Sequence, residues 1–223
     1  MQALRLRTLA YAVAATALAL GAAPARAENS APAITAFDRA FANVNDYTCQ
    51  IHAHEVKGTA VQNRVYQYSF MQPHYVKTLI IAGDGKGSGA VWTGGDQVSG
   101  HQGGILSGFH LKVGLHDPRA VSLRGFTIPD GMLQTLVNRY ATIPGTLTQV
   151  PGGKLNGVLT DRLDLKVADP ATNDGISEQI LYLSQETHWP IRQILYEGST
   201  IILDQTITDL KINVGLTQKD FPF

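Results

Sequence analysis

Tyr47-Thr-Cys-Gln-Ile-His-Ala-His-Glu-Val56, followed by Lys57-Gly58 and then Val61-Gln-Asn-Arg-Val-Tyr-Gln-Tyr-Ser-Phe70, is the stretch that decides the fold. Successive side chains of a strand point to opposite faces, so Arg64, Tyr66, Tyr68 and Phe70 share one face, and Lys57-Gly58 is a turn between two such runs. The stretch predicts an antiparallel hairpin. Upstream of it the period is helical: Ile34, Phe37, Phe41 and Val44 form one stripe within Glu28 to Asn45, with Ser30 and Pro32 as start signals and Asn45-Asp46 as a stop.

Downstream, Pro73 opens a third run, Tyr75 to Ala82, that ends in Gly83-Asp-Gly-Lys-Gly-Ser-Gly89. Ala90 to Thr93, Gln97 to Ser99 and Phe109 to Leu115 are further strand candidates separated by glycine pairs. A second helix is expected from Pro129-Asp130, with Met132, Leu133, Leu136, Val137 and Tyr140 on one face and Pro144-Gly145 as its end. Strands then resume over Thr146 to Val150, Gly157 to Val167, Ile176 to Ser184, Ile191 to Glu197 and Thr200 to Val214. In the last of these, Ile201, Leu203 and Ile207 have one parity and Leu210, Ile212 and Val214 the other, so a bulge near Asp209 is required to keep both sets inward.

Helix, strands, helix, strands is not the alternation of a doubly wound sheet. The economical architecture is mainly β (α+β): a single large curved antiparallel sheet with two main helices packed in its concave face. Composition agrees with a folded chain. Of 223 residues, 44% are hydrophobic and 16% charged, with 18 basic against 18 acidic side chains, which excludes disorder and gives no basic excess for nucleic acid.

The first 27 residues read as a secretory signal peptide. Arg5 and Arg7 precede an apolar run from Leu9 to Leu20, and Ala25-Arg26-Ala27 offers small-x-small cleavage before Glu28. That run is too short to span a roughly 30 Å hydrocarbon core, and no other long apolar run follows. Cleavage after Ala27 leaves residues 28–223 as one domain of 196 residues, with 15 basic and 18 acidic side chains and a formal charge of −3. Cys49 stands alone, so no intramolecular disulfide forms, and it lies too far from the cleavage point to be a lipoprotein acylation site. The expected product is a periplasmic monomer with no transmembrane segment.

Motifs for covalent or metal chemistry are weak. Gly83 to Gly89 fails the Walker pattern, because Gly85-Lys86 is followed by Gly87 and a strand. His52 and His54 share a strand face but lack a nearby third ligand, so no metal is expected. Gly104-Ile-Leu-Ser-Gly108 misplaces the serine of a nucleophile elbow, and strand alternation sends Cys49 to the face opposite His52 and His54. No catalytic residue and no cofactor are assigned. What remains is an aromatic and apolar load: Tyr66, Tyr68, Phe70, Trp92, Phe109, Met132, Leu133, Leu136 and Tyr140, which meet if the sheet curls over the helices. A curved sheet that does not close leaves an apolar pocket suited to a lipid-like ligand, and these nine are its expected lining.

Several segments, in order, resemble one group of proteins. They are the first helix running into Asp46-Tyr47-Thr48-Cys49, the Pro73-His-Tyr-Val76 strand start, Leu123-Arg124 leading through Ile128-Pro129 to the second helix, Glu186-Thr187-His188-Trp189-Pro190-Ile191-Arg192, and the ending Asp209-Leu210-Lys-Ile-Asn213 to Asp220-Phe221. With these the chain resembles an uncharacterised exported bacterial family similar to the LolA/LolB periplasmic lipoprotein carriers. The resemblance implies a half-open β-barrel with helices plugging its mouth, and a cavity for the acyl chains of a lipid or lipoprotein. Exposing such a chain costs about 0.8 kcal/mol per CH₂, so a shuttle must bury it. Arg124, just before the second helix, is the candidate polar group at the mouth. The same fold also serves envelope-stress regulators that bind a membrane-protein partner, and at least one small-molecule enzyme, so these remain as alternative functions.

Overall fold

The computed structural model describes residues 31–104 and 108–222. The signal peptide, its cleavage site and the serine of the Gly104–Gly108 segment lie outside the described residues. In chain order the elements are α1 (Pro32–Phe41), β1 (Asp46–Lys57), β2 (Ala60–Met71), β3 (Tyr75–Gly83), β4 (Gly89–Trp92), β5 (Gln97–His101), β6 (His110–Gly114), α2 (Leu133–Thr142), β7 (Gly145–Leu155), β8 (Val158–Val167), β9 (Glu178–Ser184), β10 (Pro190–Glu197) and β11 (Thr200–Ile212).

The strands form one antiparallel sheet in the order β6-β5-β4-β3-β2-β1-β11-β10-β9-β8-β7. It consists of two meanders, β1 to β6 and β7 to β11, joined where β1 pairs with β11. β6 and β7 are left as its two edges, so the barrel is half open. The segment that links those edges carries α2.

Alternation sets the inner face. On β1, Tyr47, Cys49, Ile51 and Glu55 are buried while His52 and His54 are exposed. The expected bulge is present: Thr48 pairs with Lys211 and Gln50 with Thr208, and Asp209 takes a φ of 53°. It lets Ile207 on one side and Leu210 and Ile212 on the other all pack on the core. A second bulge was not expected. Leu195 pairs with Leu203 and Tyr196 with Ile201, so Ile202 is the extra residue; Ile202 and Leu203 are both buried, and Ile201 is 39% exposed instead of inward.

The helices pack against one part of the concave side. From α1, Ile34, Phe37 and Phe41 enter the core, and from α2, Leu133, Leu136, Val137 and Tyr140 do. Phe37 meets Trp189 edge to face at 5.8 Å. The start of α2 differs from the expectation. Pro129 and Asp130 belong to a 3-10 turn over Ile128–Gly131, whose Thr127 and Asp130 cap each other, and α2 begins after the extended Met132. There the Leu133 N–H donates to the buried Tyr47 hydroxyl at 3.0 Å, satisfying a helix-start donor that has no partner within the helix.

Candidate ligand cavity

The helices occupy only part of the concave side, and a cavity of about 630 Å³ takes the rest. Its floor is the sheet, with Ile51, Ala53 and Glu55 of β1, Arg64, Tyr66 and Tyr68 of β2, and Gln193 and Gln205 of β10 and β11. Ile80, Val98, Leu111 and Val113 of β3, β5 and β6 supply an apolar wall. A strap over residues 115–131 crosses above, contributing Arg119, Ser122, Phe126 and Ile128 among others.

The strap is tied at intervals along its length. At its start the Leu115 N–H donates to the Asp96 carbonyl at 2.7 Å. At its middle the Leu123 N–H donates to Gln62 Oε1 at 3.2 Å and the Arg124 N–H to the Glu55 carboxylate at 3.0 Å. The Arg124 guanidinium donates to the Val56 carbonyl at 3.2 Å, the Asp174 carbonyl at 3.3 Å and the Glu197 carboxylate at 3.0 Å. Near its end the Tyr68 hydroxyl donates to the Ile128 carbonyl at 3.1 Å. These contacts hold a loop that backbone hydrogen bonding alone would leave loose.

The residues expected to line the cavity fall in three places. Tyr66 and Tyr68 are on its wall. Phe70, Leu133, Leu136 and Tyr140 are instead closed off inside the core, with Trp92 and Met132 packed against it. Phe109 lies just before β6 and is 70% exposed. Arg124 is not at the mouth: its side chain is 11% exposed and acts as the central tie of the strap. Strand parity gives Tyr66, Tyr68 and Phe70 one face but says nothing of how far along the strand the helices reach, which decides core against cavity.

The lining is more polar than expected. Glu55, Arg64, Lys86, His101, Arg119, Asp130 and Arg139 all border the cavity, along with the two glutamines. The signal was present for Arg139, which falls three residues after Leu136 on the inward side of α2; for Gln193 and Gln205, which oppose each other only once β10 and β11 pair, it was not. Both carboxylates already have structural partners, Glu55 in the Arg124 N–H and Asp130 in the Thr127 N–H and hydroxyl, each at 2.7 Å.

Burial governs the titration of the thiol and the inner phenols. Burial pushes the Cys49 thiol up to about 12, leaving it a neutral, inert side chain of the core. Burial also raises Tyr66, against the pull of the neighbouring Arg64 guanidinium, and raises Tyr47 and Tyr68 well above the usual phenol range. His52 and His54 face outward, and the described residues hold no group of three or more metal-ligating side chains. Among the described residues no helix is long and apolar enough to cross a membrane.

An open sheet, two helices in its concavity and a strapped cavity can be matched against solved structures. An uncharacterised conserved protein of Thermus thermophilus is similar, with a TM-score of 0.54 and 10% identity over 85% of this chain and 90% of that one. The likeness is one of fold. At lower scores, the Mycobacterium tuberculosis lipoprotein LppX has a TM-score of 0.49 and 15% identity, covering 84% of this chain and 99% of that one. A LolA superfamily protein of Nitrosomonas europaea has 0.42 and 10%, covering 87% and 99%. No family model and no curated protein matches the sequence.

Proposed function

We propose that this protein is exported to the periplasm, loses residues 1–27, and as a monomer binds a lipid or lipidated ligand in its cavity without covalent chemistry. The observation that carries the reading is the cavity itself. Its volume of about 630 Å³ lies within the roughly 300–1,000 Å³ of small-molecule sites, and it adjoins an apolar wall of Ile80, Val98, Leu111 and Val113. A dozen methylenes buried there would offset about 10 kcal/mol of exposure to water, at about 0.8 kcal/mol each. The two carboxylates of the lining, Glu55 and Asp130, are already engaged by Arg124 and Thr127, which favours holding a ligand over transforming one.

Solvent extraction of natively purified protein, read by mass spectrometry, is expected to release lipid, and the emptied protein to bind a fluorescent fatty acid. If extracts contain no lipid and the probe does not bind, the reading fails. Export is checked by N-terminal sequencing, which should begin at Glu28, and the monomer by sedimentation.

A second reading, a regulator that binds a membrane-protein partner, draws on the open β6 edge, where Phe109 and Leu111 are both more than half exposed. Capture of a membrane-protein ectodomain that survives filling of the cavity by Ala53→Trp, and is lost with Phe109→Ser, would favour it.

A further inference from the structure

The cavity has a polar side opposite its apolar wall, and the sheet register explains why. Gln193 pairs with Gln205, Gln205 with Ala53, and Ala53 with Arg64, so one row across β10, β11, β1 and β2 carries two amides and a guanidinium on the inner face. The amides are linked in series: Gln205 donates to Gln193 Oε1 at 2.9 Å, and Gln193 donates to the Tyr140 hydroxyl at 3.4 Å. Next to Tyr140 on α2, Arg139 also borders the cavity.

Arg139 is oriented but not neutralised. Its Nε donates to Gln179 Oε1 at 3.4 Å, and its guanidinium lies 5.8 Å from the centroid of the Phe126 ring. Among the described residues no carboxylate is within ion-pair distance of Arg139, Arg64 or Lys86; the fourth cation of the lining, Arg119, is paired with Asp117 at 2.7 Å. Gln179 itself is fully buried beside cavity-lining Leu195, and its Nε2 has no acceptor. A buried donor without an acceptor is costly, and so is a half-buried guanidinium without an anion. Gln179 holds Arg139 from behind without neutralising it, and a planar acid group in the cavity meets the guanidinium fork with two parallel hydrogen bonds.

We infer that the cavity selects an acid-headed single-chain amphiphile, whose carboxylate or phosphate is held at Arg139 beside Gln179 while its chain lies along Ile80, Val98, Leu111 and Val113. The inference rests on the lipid-binding reading and narrows it. A ligand held by its head in this way has a free acid terminus, which the acylated end of a lipoprotein does not offer.

The test compares palmitate, 1-hexadecanol and 1-palmitoyl lysophosphatidate by titration calorimetry on the purified mature protein after lipid removal. Palmitate is expected to bind at least tenfold more tightly than hexadecanol, and Arg139→Gln to abolish that preference. Gln179→Glu, nearly isosteric and able to neutralise Arg139 internally, should weaken palmitate at least tenfold with the fold retained by circular dichroism; it keeps the test decisive if Arg139→Gln unfolds. Lysophosphatidate exceeding palmitate, with the same dependence on Arg139, supports the acid site and identifies phosphate as its head group. Equal binding of palmitate and hexadecanol, unaffected by Gln179→Glu, overturns the acid site and leaves lipid binding standing. Absence of binding by all three overturns both.

Discussion

The two ends of the same strands do different work. Toward the helices, the inner face carries Tyr47 and Cys49 on β1, Phe70 on β2 and Ile207 on β11, all buried against α1 and α2. Toward the opposite end the same faces carry Ala53 and Glu55, Arg64, and Gln205, all bordering the cavity. Side chains shrink or become polar over two or three inward positions, and the core gives way to a cavity. One end stabilises the fold, and the other leaves room for a ligand at little cost to it.

The comparison is broken most forcefully from the packed end. Phe37→Ala removes a ring that contacts both Phe41 and Trp189 and is expected to cost about 3–5 kcal/mol in urea unfolding. A loss below 1 kcal/mol would mean that this end is not the stabilising one. Alkaline pH probes the same end. Cys49 has a folded pKa of about 12 against 9.0 for a free thiol, so its contribution is intact below pH 9 and is lost as pH rises through 12. The raised phenols of Tyr47 and Tyr68 act in the same direction above pH 10. Thermal midpoints should therefore hold between pH 8 and 9 and fall above it, and Cys49 should resist alkylation at pH 8 until the protein is denatured.

Between the two ends, Arg124→Ala cuts the central tie of the strap. A loss of about 1–3 kcal/mol is expected, with faster amide exchange over residues 117–127 and faster release of a bound fatty-acid probe. Unchanged exchange there would show that the other ties suffice. The smallest effect on stability belongs to the cavity end. Ala53→Trp points a large ring into open space, so unfolding free energy should change by less than about 1 kcal/mol while probe affinity falls at least tenfold. Retained affinity would place the ligand elsewhere.

Much of this was legible in the sequence, for identifiable reasons. Period-two runs gave the strands, and the parity change within Thr200 to Val214 required the bulge found at Asp209. The bulge at Ile202 was not legible, because it is fixed by pairing with β10 and leaves no local turn residue. Likewise β7 runs on to Leu155 through Pro151 and a register shift, where Pro and Gly read as a stop. Of the site, the faces of Tyr66 and Tyr68 were readable. The cavity's polarity depends on which residues of β10, β11, β1 and β2 fall in one row, and that register exists only once the strands have paired. Arg124 was expected at the mouth of the cavity, yet it fastens the strap to Val56, Asp174 and Glu197, residues far away in sequence.

The central claim is that one end of the sheet is packed and the other receives a ligand. Hydrogen exchange with and without saturating palmitate tests it most directly. Slower exchange is predicted in the strap over residues 117–127 and in the cavity-facing parts of β3, β5 and β6, with α1, β7 and β8 unchanged. Protection spread evenly over α1 and β8, or none in the strap, would contradict it.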